Sequence, residues 1–397
     1  MWEIDRDILR IFKPSTGLQF INSIINRTPL FILTVAYTET VQLPGISGAG
    51  ITEELRELTA QADAEILYHG KALCLPGGVP SNPTGTPGPS IITRAAFDLL
   101  PGIGYVCVDA GLKTPPAIPG VLSPDGAGPA RAVITGQALG PDEERATRLF
   151  SAGWRLGDQL GRANALNGYL VLAESVPGGT TTALGVLLGL GLDAERRVSS
   201  SMPGDYSHHL KLEAVQTGFA ATGQAKGGFA RNPLGAAACL GDPMQPVVAG
   251  MALAASKYCP VVLAGGTQMA AVLALAAAVR AVPGERLTGL DFNGVNFERI
   301  ALVTTGWVAN DVSSDLAGLA ALTEARFGPL GSPYFAANLN FSQSHFPPLR
   351  FYEAGYVKEG VGAGAAAFAA MLATGCSAQD LLPAIEKVYK NLVEGLV

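Results

Sequence analysis

Short apolar runs rich in β-branched and aromatic residues, most of them continuous and followed by Gly-rich turns, alternate along this chain with longer stretches rich in Ala and Leu. Runs that are apolar at every position suit strands covered on both faces, and the longer stretches suit helices. The pattern predicts strands at Phe31–Ala36, Ala64–Tyr68, Tyr105–Asp109, Tyr169–Ala173, Pro260–Ala264, Ile300–Thr304 and Tyr334–Asn338. It predicts helices at Glu53–Ala62, Ile91–Leu99 capped by Ser90, Pro141–Gly161, Pro233–Ser256, Gln268–Val279, Leu316–Phe327, Ala363–Ala373 and Ala378–Glu394. In Pro141–Gly161, Leu149, Phe150, Trp154 and Leu160 share one side and acids lead the first turn. Strands alternating with helices predict an α/β fold: a doubly wound, mainly parallel sheet with helices on both faces. Residues 31–374 are expected to form this Rossmann-like unit. Residues 1–30 and 375–397 are expected to add a smaller helical subdomain built from the chain ends.

Composition narrows the class. With 48% hydrophobic and 15% charged residues over 397 positions, the chain is too apolar for disorder and long enough for a large core. A net charge of −6 and a pI near 5.3 leave no footprint for nucleic acid or an anionic membrane, so neither is expected as a partner. The uncharged stretches between Lys257 and Arg280 and between Glu359 and Asp380 contain Pro260 and Gly265-Gly266, or mostly Ala and Gly. Both read as buried core. The start, Met1-Trp-Glu-Ile-Asp-Arg-Asp, carries acids where a secretory signal needs a basic segment, so a cytoplasmic location is expected. Five scattered cysteines and four histidines show no zinc spacing; free thiols and no metal are expected.

The segment that bears most on chemistry follows the apolar run Tyr169–Ala173. It reads Glu174-Ser-Val-Pro-Gly178-Gly179-Thr180-Thr181-Thr-Ala and continues as a helix. A buried strand that breaks into glycines before a helix presents unpaired N–H groups and a positive dipole end, which suits a phosphate. No Lys follows the glycines, so this is not a Walker loop, and a mononucleotide phosphate fits better than ATP. Ligands in open α/β sheets bind beyond the carboxyl ends of the strands. Glu174–Thr182, Gly265–Met269, the segment after Val303 and Tyr356–Gly364 all belong there by sequence. Gly265 and Gly266 end a buried strand and allow close backbone approach to a ligand, or form an ordinary turn. The long Pro- and Gly-rich loop Pro76–Pro89 is expected to be ordered by packing or by ligand.

A second corner reads Glu359-Gly360-Val-Gly362-Ala-Gly364. Glycine at a helix start costs stability, so it implies close backbone approach or an unusual φ. Glu359 is either a functional carboxylate there or a simple cap. Taken in order, Glu174-x-x-x-Gly-Gly-Thr-Thr-Thr, Gly265-Gly266, Ser344-His345 and Glu359-Gly-Val-Gly-Ala resemble the nicotinate-nucleotide:dimethylbenzimidazole phosphoribosyltransferases of cobamide assembly. The longer branch found in archaea and cyanobacteria is the nearest match, through Val108-Asp-Ala-Gly-Leu112 and Ser199-Ser-Ser-Met-Pro203. The likeness spans about Phe31 to Ala373. The family's phosphate loop usually carries Asn where Gly179-Thr180 stand, and its last motif carries Thr where Val361 stands.

What this resemblance implies is a glycosyltransferase that moves the ribose phosphate of nicotinate mononucleotide to an azole or purine base with inversion, releasing nicotinate. Its small-molecule substrates would be its only ligands, with no cofactor, and the family suggests a homodimer. Glu359 would be the catalytic base that takes the azole proton. A pyridinium leaves as a neutral ring, so no general acid is required. Gly178, Gly179, Thr180 and Thr181 would hold the phosphate, Glu174 the ribose, and Gly265 and Gly266 would approach the nucleotide. Lys211 is either a charge partner for the phosphate or an ordinary helical lysine. Asp109 reaches a ligand or caps its loop. Ser344 and His345 contact substrate or hold a loop, and Gly360 and Gly362 shape the pocket. Two alternatives stay open: a non-catalytic mononucleotide sensor or carrier, and a transferase of the same fold that uses adenine or another base.

Overall fold

The computed structural model describes residues 7–75, 78, 81–82, 84–100, 102–204, 206–282 and 287–394. Strands β1 Ile8–Phe12, β2 Thr28–Ala36, β3 Gly104–Gly111, β4 Gly168–Ser175, β5 Val261–Ala264, β6 Ile300–Thr305 and β7 Tyr334–Ala337 form one sheet in the order β1-β7-β6-β5-β4-β2-β3. β2 to β7 run parallel, and β1 closes one edge antiparallel to β7, with Ile8 opposite Ala337. From β2 the chain steps one way to β3 and the other way from β4 to β7. That reversal lies between β2 and β4, where the loops at the strand ends diverge and leave a crevice.

The helices are α1 Pro14–Ile24, α2 Glu53–His69, α3 Ser90–Leu99, α4 Glu144–Ala163, α5 Gly179–Gly189, α6 Tyr206–Thr222 and α7 Pro233–Leu240. They continue with α8 Met244–Ser256, α9 Thr267–Ala281, α10 Gly306–Ala309, α11 Leu316–Phe327, α12 Pro347–Arg350, α13 Ala363–Thr374 and α14 Ala378–Glu394. Successive strand residues point to opposite faces, which sorts the core in two. Ile32, Leu170, Leu172, Leu263 and Leu302 pack with α4 to α9 and α11. Phe31, Leu33, Val171, Val262 and Val303 pack with α1 to α3, α13 and α14. Both faces are covered, as the unbroken apolar strands require. Between α4 and α8, Gly153, Gly157 and Gly161 recur at the four-residue spacing that keeps them on one helix face. A Cβ at Gly157 would stand 2.7 Å from the Met251 Cα, so glycine lets the two helix backbones touch.

The α/β, doubly wound reading holds, with corrections to individual elements. Ala64–Tyr68 is the last third of α2, not a strand. Thr52 caps α2 by accepting from the Leu55 N–H, and the helix continues to a left-handed Gly70; Glu and Leu in the run favour helix over strand. The single helix expected over Pro233–Ser256 is broken at Gly241-Asp242-Pro243, where buried Asp242 accepts from the Met244 and Gln245 N–H groups and starts α8. Ile8–Phe12, within a segment expected to be helical, is the antiparallel strand β1; it is five residues long, half-buried beyond Ile8, and shifts register between Arg10 and Phe12, so it offers no alternating pattern to read. Helix α1 lies in the end segment expected to be helical, and helix α6 had no counterpart in the periodicity. The two uncharged stretches contain β5 with α9, and α13, and no helix among the described residues is long and apolar enough to cross a membrane.

Candidate functional site

A cleft of about 910 Å³, its open mouth included, lies beyond the carboxyl ends of β2, β4, β5 and β6. All four segments singled out in the sequence contribute to its lining, together with the loop after β2.

One wall is a backbone cradle. After β4 the chain turns through Gly178, at φ 82°, and Gly179 donates to the Val176 carbonyl (2.8 Å) as α5 begins. A Cβ on Gly178 would press on the Val41 backbone at 2.9 Å, so the turn requires glycine. Thr180 lines the cleft, and the first-turn N–H groups of α5 have no partner within their own helix. A second helix start, Gly266-Thr267-Gln268 of α9, faces the same space. Ser199, Ser200 and Ser201 complete this side, held by Ser199 N–H donating to Thr267 Oγ1 (3.1 Å) and by Gly48 N–H donating to Ser201 Oγ (2.9 Å).

Facing it is a strained corner that carries Glu359. Val357, Lys358 and Val361 all hold left-handed φ values of 64°, 57° and 55°. Such conformations cost about 1–3 kcal/mol each in non-glycine residues and persist only where surroundings over-determine them. Here Val357 N–H bonds the Ser201 carbonyl (3.0 Å), Val361 N–H bonds the Glu174 carbonyl (2.8 Å), and the Thr305 and Thr93 hydroxyls donate to the carbonyls of Lys358 and Val361. The glycines answer the expected need for close approach: a Cβ on Gly362 would overlap those of Ala173 and Ala264, and one on Gly364 would collide with the Thr304 carbonyl. Gly360 lines the cleft.

Glu359 accepts from Thr304 Oγ1 (2.9 Å), Gly360 N–H (3.1 Å) and Gly364 N–H (3.3 Å). Burial pushes its pKa up to about 7, against the pull of those donors. Glu174 is fully buried at the end of β4 and accepts from Val176 N–H (3.0 Å) and Gln268 Nε2 (2.9 Å). Burial, then the nearby Asp242 and Glu359 carboxylates, push it up to about 8. At neutral pH the cleft thus holds one mostly protonated carboxyl, Glu174, and one poised to exchange a proton, Glu359.

Among the described residues the cation on the cleft wall is Lys358, whose Nζ pairs with Asp311 Oδ2 (2.7 Å). Lys211 is not exposed and does not line the cleft; its Nζ donates to the Ser199 carbonyl (2.5 Å), supporting the serine wall from behind. Burial and the neighbouring Lys358 charge lower its pKa to about 7. Thr181 lies outside the lining with its hydroxyl buried and unpartnered, and Gly265 and Gly362 stand one position removed from it. Asp109 caps its own loop, accepting from Gly111 N–H (3.0 Å) and Leu112 N–H (2.8 Å). Ser344 and His345 bind Glu386 of α14, and His345 is exposed; neither reaches the cleft. Asp63, Asn82 and the loop Ser47–Gly50 line the cleft and were missed. The glycine pair in Gly48-Ala49-Gly50 after β2 was the available signal for that loop. Asp63 was hidden by the misplaced helix boundary after Ala62. Part of the Pro76–Pro89 loop lies outside the described residues. Among the described residues no three His, Cys, Asp or Glu side chains are grouped to hold a metal. The arrangement can seat an anion on backbone N–H groups and exchange a proton beside it.

No protein-family model matches the chain. It is 43% identical over 379 residues to a UPF0284 protein of Gloeobacter violaceus, covering 96% of this chain and 92% of the relative. It is 44% identical over 360 residues to a UPF0284 protein of a Synechocystis species, covering 91% and 90%. Its fold matches a crystal structure of CobT from Thermus thermophilus at a TM-score of 0.54 and 19% identity, over 91% of this chain and 89% of that one. A nicotinate-nucleotide-dimethylbenzimidazole phosphoribosyltransferase structure from the same organism matches at 0.53 and 17% identity, over 91% and 92%.

Proposed function

The chain belongs to the UPF0284 family, and from that premise we propose that it is a phosphoribosyltransferase of cobamide nucleotide-loop assembly. It moves the ribose phosphate of nicotinate mononucleotide to a ring nitrogen of a lower-ligand base and releases nicotinate, with no resident cofactor. The observation that carries this reading is the pairing, in one cleft, of a two-helix backbone cradle with a carboxyl near neutrality on a strained corner. The fold shared with two Thermus structures, one of CobT and one of a nicotinate-nucleotide-dimethylbenzimidazole phosphoribosyltransferase, supports it.

The phosphate sits on the N–H groups of Gly178 and Thr180, where the α5 dipole favours negative charge, while the Gly179 N–H closes the turn on the Val176 carbonyl. Glu174, held protonated, donates to a ribose hydroxyl. The nicotinate ring leaves neutral as its pyridinium bond breaks, so a single base suffices. As the unprotonated nitrogen of the azole bonds to the anomeric carbon, the proton on its other ring nitrogen passes to Glu359. Attack opposite the leaving group inverts the anomeric centre and gives an α-riboside phosphate. The test is mass-spectrometric analysis of products from nicotinate mononucleotide with dimethylbenzimidazole, adenine or no base, with Glu359→Gln in parallel. A riboside phosphate that depends on Glu359 is expected; tight mononucleotide binding with no nicotinate released would overturn the proposal in favour of a carrier.

A further inference from the structure

Asp311, in the loop after α10, joins the two walls of the cleft, and the reaction above gives it no role. Its Oδ2 accepts from Ser199 Oγ on the serine wall (2.9 Å) and from Lys358 Nζ on the corner (2.7 Å). Its Oδ1 accepts from the N–H (3.0 Å) and the hydroxyl (2.7 Å) of Ser313, which fixes the plane of the carboxylate. The side chains of Lys358 and Asp311 are only 4% and 7% exposed. A third charge lies behind the serine wall. Lys211 of α6 feels both partners, since the Lys358 charge pushes its pKa down and the Asp311 charge draws it up. One carboxylate therefore faces two buried ammonium groups, and the one it bonds is Lys358.

That bond matters because Lys358 is next to Glu359 in the chain and both line the cleft. The other titratable groups that face Glu359 are Glu174 from β4 and Tyr352 from the segment after α12, each raised in part by the Glu359 charge. Neither brings positive charge. An ammonium close to a carboxylate favours its charged form and makes it a weaker base. Lys358 is held at both ends, its carbonyl by Thr305 Oγ1 (2.6 Å) and its Nζ by Asp311. We propose that Asp311 is a positioning residue of the transfer: it keeps the Lys358 ammonium against the serine wall and away from Glu359, whose carboxylate stays free to take the acceptor's proton. Without Asp311 a buried ammonium is left unpaired, which is costly, so it turns to the carboxylates of its own cleft, and Glu359 is the next residue. This assignment rests on the transferase reading for its place in a reaction, but its first test needs no turnover.

Carbon-13 NMR of the full-length protein labelled in glutamate, with Glu359→Gln to identify the signal, follows the titration of Glu359 in the absence of substrate. In Asp311→Asn the midpoint is expected to fall by about one pH unit or more, and the plateau rate of nicotinate release by about tenfold. Adding Lys358→Met to Asp311→Asn should return the midpoint to within about 0.3 pH unit and the rate to within about threefold of the unaltered protein. A merely structural role for Asp311 gives no such rescue. Lys358→Met alone leaves Asp311 its bonds to Ser199 and Ser313, and should hold the midpoint within about 0.3 pH unit. A larger rise there means that the ammonium already acts on Glu359, which overturns the proposal even where Asp311→Asn does not fold. An unmoved midpoint in folded Asp311→Asn overturns it as well. The shift and its rescue, with no nicotinate released by the unaltered protein, leave the assignment of the charges standing and overturn the transferase reading instead.

Discussion

The two walls of the cleft reach precision by opposite routes. The cradle at Gly178–Thr180 is a relaxed strand-turn-helix, left-handed only at a glycine. As the proposed phosphate seat it would rely on backbone groups that any helix start supplies. The corner at Val357–Val361 puts three non-glycine residues in left-handed conformations and holds them with bonds from four separate segments. An anion seat tolerates small errors because a dipole field varies slowly with distance. A general base does not, since proton transfer needs a heavy-atom separation near 3 Å.

The largest effect should come from breaking the corner chemically. Glu359→Gln is expected to slow single-turnover nicotinate release by about 10²- to 10⁴-fold while leaving mononucleotide affinity within a factor of three, measured by quench-flow and by calorimetry. Next comes breaking it sterically. Gly364→Val drives a side chain into the Thr304 backbone and should cost about 3 kcal/mol or more in urea unfolding, because backbone cannot move aside. The contrasting change in the cradle is Gly179→Val, whose Cβ meets only the movable end of Gln268 and the Val176 side chain. It should weaken mononucleotide binding at least about tenfold with much less loss of stability. If Gly179→Val proved the more destabilising of the two, the contrast between a yielding cradle and a rigid corner would be lost.

Proton linkage sharpens the same comparison with a smaller effect. Glu359 is raised from 4.5 to about 7, Glu174 from 4.5 to about 8, and Asp63 and Asp242 from 3.8 to about 6, all chiefly by burial. In each case the native protein holds protons that the unfolded chain releases, so stability falls as pH rises from about 4 to about 8. Lys211, lowered from 10.5 to about 7, acts oppositely: the unfolded chain binds the extra proton, and stability rises from about pH 7 to 10. The urea midpoint should therefore pass through a minimum near pH 7–8, and Glu174→Gln should flatten its acid limb. The rate of nicotinate release should rise with pH to a plateau above about 7, as the carboxylate form of Glu359 accumulates. The smallest effect is expected at His345→Ala, which should leave nicotinate release within twofold, since that side chain serves only the surface contact with Glu386.

Sequence made the cradle easier to read than the corner. Gly178-Gly179-Thr180 announces a strand-to-helix turn by local chemistry alone, and its place at the end of β4 follows from the apolar run before it. The glycines of the corner signalled close approach, and Gly362 and Gly364 do press on Ala173 and Thr304. Nothing local signalled left-handed Val357 and Val361, because their conformation is imposed by Ser201, Glu174 and Thr93, far away in sequence. The same non-locality hid the cation of the cleft wall. Lys211 follows the serine run in sequence, but Lys358 is the one on the cleft wall, and their mutual repulsion appears only once the chain is folded. Asp63 went unread because a helix predicted to end at Ala62 hid it, although the sheet, its two covered faces and six of its seven strands were legible.

Strand β1 has a practical meaning beyond its place in the sheet. It is five residues long and lies antiparallel against β7, so it covers one border of a sheet that otherwise runs parallel. Remove it and β7 presents an unpaired row of N–H and C=O groups flanked by Tyr334 and Phe335, the kind of border on which chains stack into aggregates. A gene designed to start after Phe12 would therefore yield a protein that keeps every cleft residue described above and still precipitates during expression.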